Sequence, residues 1–396
     1  MRFACLLIAA PLLAGTLPPG TEFSVRLTDP IRSEAVKQDP VHAVLIAPVV
    51  LDGQVALPAG AQLTAIVRNA RAASDKERAR IELVFNRIEL GGQSSPVSAI
   101  VSGLDNARES VDEKGVISGI DASQTFSSKL DQGIAKLESN DRLSMLAGII
   151  NGAKQTLNIQ AANPNIDYDP GVELTIRLTA PLVWNGPVSG EEAKLQPFPE
   201  QAALVDLVTT QPFRTVAENP PRPSDMTNLM FIGTEEEIMS AFTKAGWSSA
   251  ARLSAESKLE TARAIIEGRG YREGPMSVLL LGGRPPDFSL QKGNNTFAQR
   301  HHLRIFRRPG TFAGKSLWVC SATHDIGIEY SDRDHTFIHR IDSDIDRERA
   351  KVVNDLLYTG AVRSLALVDR PSIPHDATNA TGDVLQTDGR MAVLLF

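Results

Sequence analysis

Apolar and polar residues alternate along much of the first hundred residues of the chain. The alternation is clear at 23–27, 63–67 and 81–85, and turn dipeptides such as Pro19-Gly20 and Asp52-Gly53 separate such segments. A period of two buries one face of a strand and leaves the other face to solvent. The pattern therefore predicts a β-barrel or β-sandwich of short strands.

The period changes between about residues 121 and 150. Phe126, Leu130 and Ile134 follow helical spacing, and a second set of apolar residues runs from Leu143 to Ile150. A polar break at 139–141 separates the two sets. This predicts a helical hairpin inserted between strands, with its apolar stripe packed on the barrel.

A sequence segment near the start of the chain recurs about 150 residues later. Residues 19–31, PGTEFSVRLTDPI, and 170–182, PGVELTIRLTAPL, are identical at seven positions. Both read as a turn followed by an alternating strand that ends at proline. We expect these strands to meet and close one domain over 17–183, although such a turn-and-strand phrase also recurs by chance.

Eight of the chain's 24 prolines lie between Pro181 and Pro223. Proline has no N–H to give to a sheet ladder. The composition therefore predicts a proline-rich linker over 184–223 with little regular structure, separating the barrel-like domain from a second domain over 224–396.

The second domain mixes strands and helices. A strand at 229–232 precedes a helix whose start has the capping-box pair Thr234 and Glu237. Further helices are expected at about 255–267 and 344–358, and further strands at 277–282, 287–292, 300–307, 316–323, 336–341 and 365–368. Since the elements do not follow strict βαβ order, the whole chain is predicted to be a multidomain α+β protein.

The first fifteen residues have the composition of an export signal. Arg2 precedes about a dozen uncharged residues, which is the length of a signal-peptide core and too short to span a membrane. We expect a signal peptide over 1–15 and a periplasmic or cell-envelope location; the alternative is a buried N-terminal strand. No later apolar run reaches spanning length, so no membrane span is expected after signal removal.

Charge and cysteine content exclude some functions. The net charge of −6 gives no general attraction to nucleic acid, and the basic run from Arg300 to Arg308 has few aromatic residues for base stacking. We therefore expect no nucleic-acid partner. Without the signal segment, which contains Cys5, only Cys320 remains, so no internal disulfide is expected and Cys320 is predicted to lie in a core.

The second domain resembles the LssY C-terminal domain family. The resemblance rests on NLMFIGT, AFTKAGW, GGRPPDFSLQK, RHHLRIF, SLWVCSATHD, IHRIDSDIDRERAKVVNDL and TDGRMAVLLF, which follow one another in the family's order over about 226–396. The family resemblance implies an α+β domain without an established activity. Its namesake carries a lipid-phosphatase-like membrane portion, and the Pro-Ser-Gly-His stretch of that portion is missing from this sequence.

The first domain resembles the TrbI-type β-barrel of conjugation and type IV secretion machines. The matching segments are LPPGTEF, LPAGAQL, RIELVFNRIELGG and PGVELTIRLTAPL. The resemblance implies a barrel with a helical projection where the hairpin is expected, and it implies a secretion-associated role. The apolar stretch from Leu143 to Ile150 is too short to span a membrane, so the resemblance does not imply a channel.

Five of the seven histidines lie between residues 301 and 339. Strand alternation places Arg300, His302 and Arg304 on one face and His301 with apolar neighbours on the other, where a core histidine is expected. We predict that the first three line one polar cleft with His324 and His339, and that nearby carboxylates balance the charge. The candidates for catalysis are His302, His324, Asp325 and His339, and those for ligand binding are Arg300, Arg304 and Asp342.

Metal and nucleotide motifs are incomplete. The HExxH spacing is missing and the histidines are dispersed, so no metal site or cofactor is expected, with a divalent metal as the less favoured alternative. The segment starting at Asp342 resembles a calcium loop, but Arg347 replaces the glycine, and Asp344 reads better as a helix N-cap. GTFAGKS at 310–316 resembles a phosphate loop but precedes a strand, so a hairpin turn is expected.

Two functions remain open after these exclusions. The first is an exported binding or structural accessory component of the envelope, whose partners are envelope proteins or a small anionic ligand. The second is a hydrolase that acts on a phosphorylated or acylated envelope substrate through the His, Asp and Arg cluster. The first is preferred because the sequence has no nucleophile–base motif.

Overall fold

The structure is a computed structural model. It describes residues 14–35, 40–51, 54–121, 161–185, 195–250, 276–292, 300–331 and 336–396, apart from single gaps at 75, 91 and 219, together with parts of 123–155. Residues 1–13, most of the second arm of the expected hairpin and the helix expected at 255–267 lie outside the described residues.

In the residues that the structure describes, the N-terminal part consists mainly of strands, with helix α1 (Phe126–Glu138) at the first arm of the expected hairpin. The strands are β1 (Ala14–Leu17), β2 (Glu22–Leu27), β3 (Ile31–Arg32), β4 (Val41–Leu45), β5 (Val49–Leu51), β6 (Gln54–Leu57), β7 (Gln62–Arg71), β8 (Arg80–Leu90), β9 (Gln93–Leu104), β10 (Ser110–Val111), β11 (Val116–Ser118), β12 (Asp167–Tyr168), β13 (Glu173–Leu178) and β14 (Leu182–Asn185).

Six of these strands close into an antiparallel barrel, so the barrel alternative is confirmed over the sandwich. Their order is β7, β4, β2, β13, β9 and β8, and β8 pairs with β7 again. Alternation fills the barrel: Phe23, Val25 and Leu27 of β2 are buried, whereas the residues between them face outward. β13 pairs with β2, with Leu174 opposite Val25, as the repeated phrase predicts.

The C-terminal part contains three helices, α2 (Gln201–Thr209), α3 (Glu235–Lys244) and α4 (Ile345–Tyr358), among its described residues. Its strands are β15 (Arg214–Ala217), β16 (Arg222–Met226), β17 (Leu229–Ile232), β18 (Trp247–Ser249), β19 (Leu279–Leu280), β20 (Phe288–Lys292), β21 (Arg300–Phe312), β22 (Lys315–Ser331), β23 (Thr336–Ile341), β24 (Ser364–Asp369), β25 (Asp376–Thr378), β26 (Val384–Gln386) and β27 (Arg390–Leu395).

A mixed sheet organises this second part and confirms the α+β prediction. The strand order is β18, β20, β21, β22, β17, β27 and β24, and only the β17–β27 pair among these neighbours is parallel. One face packs against apolar residues of α3 and α4, including Phe242 and Val352. The other face packs against Leu204 and Val208 of α2.

The segment between Pro181 and Pro223 has more regular structure than expected. It contains β14, α2, β15 and the start of β16. Leu204 and Val208 bury one side of α2 against the sheet, and this burial stabilises a helix between the prolines. Pro223 lies in β16, at the edge of a three-stranded sheet, where a missing N–H costs least. The expectation of an irregular segment was therefore wrong; the domain boundary remains a prediction.

The motifs that guided the helix and turn predictions have the expected structures. Thr234 Oγ1 accepts from Glu237 N at 3.1 Å and Glu237 Oε2 accepts from Thr234 N at 2.9 Å, which confirms the capping box. Asp344 caps α4. Ala313 and Gly314 both have positive φ angles, of 49° and 76°, at the tight turn between β21 and β22, as a hairpin turn of this kind requires.

Candidate functional site

The histidine-rich segment forms the paired strands β21 and β22. Their antiparallel register sets Arg300 opposite Asp325 and His301 opposite His324. Residues that are directly opposite each other lie on the same face, and neighbours along a strand lie on opposite faces. The segment therefore contributes two separate polar clusters, one on each face of the sheet.

The first cluster is built around two arginines and two aspartates, and we call it the arginine face. Arg300 Nε lies 3.2 Å from Asp325 Oδ2. Arg304 Nη1 lies 3.1 Å from Asp225 Oδ2, and its other nitrogens donate to Ser277. All four charged side chains are buried. Each guanidinium thus has a carboxylate beside it.

Burial controls protonation on the arginine face. Desolvation raises the pKa of the Asp225 carboxyl, although Arg304 opposes this shift. Desolvation also lowers the pKa of His302 to about 3, with the two neighbouring arginines adding to the effect. His302 is therefore a neutral imidazole at neutral pH and does not exchange a proton there.

His302 also lies between a hydroxyl and a carboxylate. Its Nε2 is 2.9 Å from Thr323 Oγ1, and its Nδ1 is 3.5 Å from Asp325 Oδ1. Hydroxyl, imidazole and carboxylate in this order resemble the relay that activates a nucleophile in hydrolases. However, Thr323 is only 2% exposed, so a substrate has no path to its hydroxyl in this conformation.

The second cluster lies on the other face, and we call it the histidine cluster. The rings of His301 and His324 stack with centroids 4.1 Å apart and planes 12° from parallel. Glu348 of α4 places Oε2 2.7 Å from His301 Nδ1. Asp105, which follows β9 of the barrel, places Oδ2 3.5 Å from His301 Nε2. This cluster joins both parts of the chain.

The carboxylates on both sides of His301 control its protonation. Burial alone would lower the pKa of His301, but Glu348 and Asp105 outweigh it and raise that pKa to about 10. Burial alone would likewise raise the pKa of Asp105, but the adjacent His301 lowers it to about 2. Without a bound cation, His301 is therefore an imidazolium between two carboxylates.

The single polar cleft predicted from the sequence is not found. Arg300, His302 and Arg304 do share a face, and Asp325 supplies the expected counter-charge. His324 was wrongly placed with them, because its register opposite His301 sends it to the other face. Asp342 contacts the start of α4, where its carboxylate accepts from Asp344 N and lies 3.6 Å from Arg347.

His339 can be placed only by its backbone. It lies in β23 opposite Ile328 of β22, and its side chain is outside the described residues. The catalytic roles assigned to His302, His324, Asp325 and His339, and the binding roles of Arg300, Arg304 and Asp342, remain predictions. His301, expected to be a hydrogen-bonded core histidine, is 2% exposed and contacts Glu348.

A third polar group connects the barrel to the C-terminal sheet, and we call it the interface network. Glu173 of β13 lies 2.7 Å from Arg26, 3.3 Å from Lys292 and in direct contact with Lys351. Asp355 of α4 lies 2.6 Å from Lys292, 3.2 Å from Arg26 and 3.3 Å from Lys351. Three cations thus share two carboxylates, and both carboxylates are 1% exposed.

Electrostatics in the interface network keep the carboxylates ionised. Burial would raise the pKa of Glu173, but Lys292, Lys351 and Arg26 outweigh it and hold that pKa well below its usual value. The pKa of Asp355 is lowered against burial by the same three cations. Trp247 also donates to Asp355 at 2.9 Å. These carboxylates therefore stay charged in the protein interior.

Sequence reasoning missed Glu348 and Asp355, although their spacing contained a signal. Both lie on the buried face of α4, together with Ile345 and Val352. Charged residues at core positions of an amphipathic helix must find buried partners. Asp105 and Glu173 had no comparable local signal, because their partners are far away in sequence.

Within the described residues, no helix is both long and apolar enough to cross a membrane. No curated protein matches the chain. A solved structure of ComB10 from the Com type IV secretion system of Helicobacter pylori matches 45% of this chain and 94% of its own length, at 13% identity and a TM-score of 0.25.

The family comparison concerns the part of the chain that contains the arginine face and the His301, His324 and Glu348 side chains of the histidine cluster. It covers β15 to the start of β27, including β21, β22 and α4. It agrees with the resemblance identified over about 226–396. Residues 210–391 of this chain match the family model described as LssY C-terminus.

Proposed function

We propose that the chain is an exported cell-envelope protein that acts as a binding or structural accessory component, associated with secretion. Its barrel and its C-terminal sheet act as one rigid body, and envelope proteins are its partners. The interface network carries this proposal. Separating the two parts would leave Glu173 and Asp355 without some of their cations, and uncompensated charges of this kind are costly.

A small anionic ligand at the arginine face has less support than a protein partner. Such a ligand would have to replace Asp325 beside Arg300 or Asp225 beside Arg304. Both carboxylates are buried and already in place, so the exchange would leave a negative charge without its partner.

The hydrolase alternative has one observation in its favour, the relay formed by Asp325, His302 and Thr323. Thr323→Val removes the hydroxyl and keeps the shape, so it is the matched variant for a screen of phosphoesterase and esterase substrates. We expect the wild-type chain to show no turnover above Thr323→Val. Turnover that disappears in the variant would replace the accessory role with a hydrolytic one.

Export is tested separately from activity. Residues 1–30 fused to a reporter that is active only outside the cytoplasm should give signal, because the uncharged run behind Arg2 has the length of a signal-peptide core. A control fusion with Leu6→Arg and Leu7→Arg should be silent. A silent wild-type fusion at normal expression would contradict the envelope location.

A further inference from the structure

The histidine cluster has an arrangement that the salt bridges of His301 do not fully explain. His301, His324 and Glu348 each offer one ligand atom, and these atoms all lie within 4.8 Å of one another. His324 is only half-buried as a residue, but its Nε2 is shielded from solvent. An imidazole stacked face to face on another imidazole, with a nitrogen shielded from water, is an uncommon way to pack a core.

Two buried atoms of this cluster have no hydrogen-bond partner among the described residues. They are Nε2 of His324 and Oε1 of Glu348. Glu348 is 3% exposed. A buried polar atom without a partner costs about 1–3 kcal/mol, and such atoms in a native protein commonly mark an ion or another group at that point. Both atoms belong to residues of the same three-residue group.

The spacing of the cluster is close to that of a tetrahedral metal site. Zinc bonds of about 2.0–2.1 Å in tetrahedral geometry place ligand atoms about 3.3 Å from each other. The ligand atoms of His301, His324 and Glu348 all lie within 4.8 Å of one another, so binding an ion requires them to move closer together. His301 has a carboxylate beside each of its ring nitrogens, so one nitrogen can bind an ion while a carboxylate orients the ring through the other.

We propose that His301, His324 and Glu348 bind one divalent transition-metal ion, with Asp105 of the barrel orienting the His301 ring through its other nitrogen. Imidazole nitrogens with carboxylate oxygens favour Zn²⁺ and similar ions over Ca²⁺ and Mg²⁺. Three protein ligands leave one position of a tetrahedral ion to water. Because Asp105 orients His301, the ion would also strengthen the contact between the barrel and the C-terminal sheet beside the interface network. The metal site stands apart from the accessory role, which does not need it.

Metal titration of the full chain tests the site. Protein that has been treated with a chelator is titrated with Zn²⁺ alone by calorimetry and with Co²⁺ alone by visible absorption. We expect one ion per chain and the intense Co²⁺ bands of a tetrahedral site. The control is His375→Ala, since His375 is exposed and lies outside the cluster; it should bind as the wild type does.

Variants assign the ligands. His324→Ala should lose at least ~100-fold in Zn²⁺ affinity and lose the tetrahedral Co²⁺ spectrum. Asp105→Asn should lose at least ~10-fold. Glu348→Gln changes a buried side chain and so also affects the core. The thermal midpoint of each variant is therefore compared with and without Zn²⁺; wild type should be stabilised by Zn²⁺ and His324→Ala should not.

Three results would overturn the proposal. They are no ion bound by the wild type at micromolar Zn²⁺, equal binding by wild type and His324→Ala, and unchanged affinity in Asp105→Asn. The first would leave the cluster as an imidazolium between two carboxylates, the second would move the ion elsewhere, and the third would remove the barrel from the site. None of these results would affect the export or hydrolase tests.

Discussion

At the scale of single residues, buried charge decides what this protein can do. In the arginine face and the interface network, each buried charge has an opposite charge beside it, with Asp325 beside Arg300 and Glu173 beside three cations. Paired buried charges add little net stability, but removing one partner is strongly destabilising. These residues therefore specify how the two parts of the chain meet.

Glu173→Gln tests this at the interface network. The variant leaves Arg26, Lys292 and Lys351 with one carboxylate instead of two, so we expect a loss of about 3–5 kcal/mol in the free energy of unfolding. Denaturant unfolding at neutral pH measures it. The control is Glu113→Gln, which changes an exposed carboxylate and should stay within about 0.5 kcal/mol of wild type.

The stability difference between wild type and Glu173→Gln should also depend on pH. The pKa of Glu173 is lowered on folding, so its stabilising effect is complete above its ordinary value of 4.5 and is lost as the pH falls below that value. The stability difference between wild type and Glu173→Gln should therefore shrink on acidification below about pH 4.5. A difference that stays constant from pH 7 to pH 3 would contradict the charge account.

At the scale of elements, local patterns predicted most of what the structure contains. Alternation predicted β2, and the capping residues Thr234 and Asp344 predicted the starts of two helices. The prediction of a single cleft was wrong because it depended on the register between strands, which decides which residues lie opposite each other. The pairing of His301 with His324 is set by the register across the β21–β22 turn, and a shift of one residue exchanges the faces.

The closing strand of the barrel gives the prediction at this scale. Ile176 of β13 is fully buried between β2 and β9, where β13 completes the ring. Ile176→Ala should lower the free energy of unfolding by about 2–5 kcal/mol, because the cavity adds to the lost burial. Val183→Ala, at a position that is 54% exposed, should lower it by less than about 1 kcal/mol. Equal losses of unfolding free energy in the two variants would contradict the conclusion that β13 closes the barrel.

At the scale of the whole molecule, long-range pairs join the two parts, and no local pattern in the sequence indicates them. Arg26 contacts Asp355 across 329 residues, and Asp105 meets His301 across almost 200. A strand pattern shows which side of β13 is buried in its own barrel, but it cannot show what the charged residue at its start will meet. The interface between the barrel and the C-terminal part therefore could not be predicted from local sequence patterns.

Differential scanning calorimetry of the full chain tests the central claim, that the barrel and the C-terminal sheet form one rigid body. We predict one transition whose calorimetric and van't Hoff enthalpies agree, because neither part can unfold without exposing the charges it shares with the other. Glu173→Gln should lower the midpoint and broaden or split that transition. Two separate transitions in the wild type, with midpoints that Glu173→Gln does not move, would contradict the account.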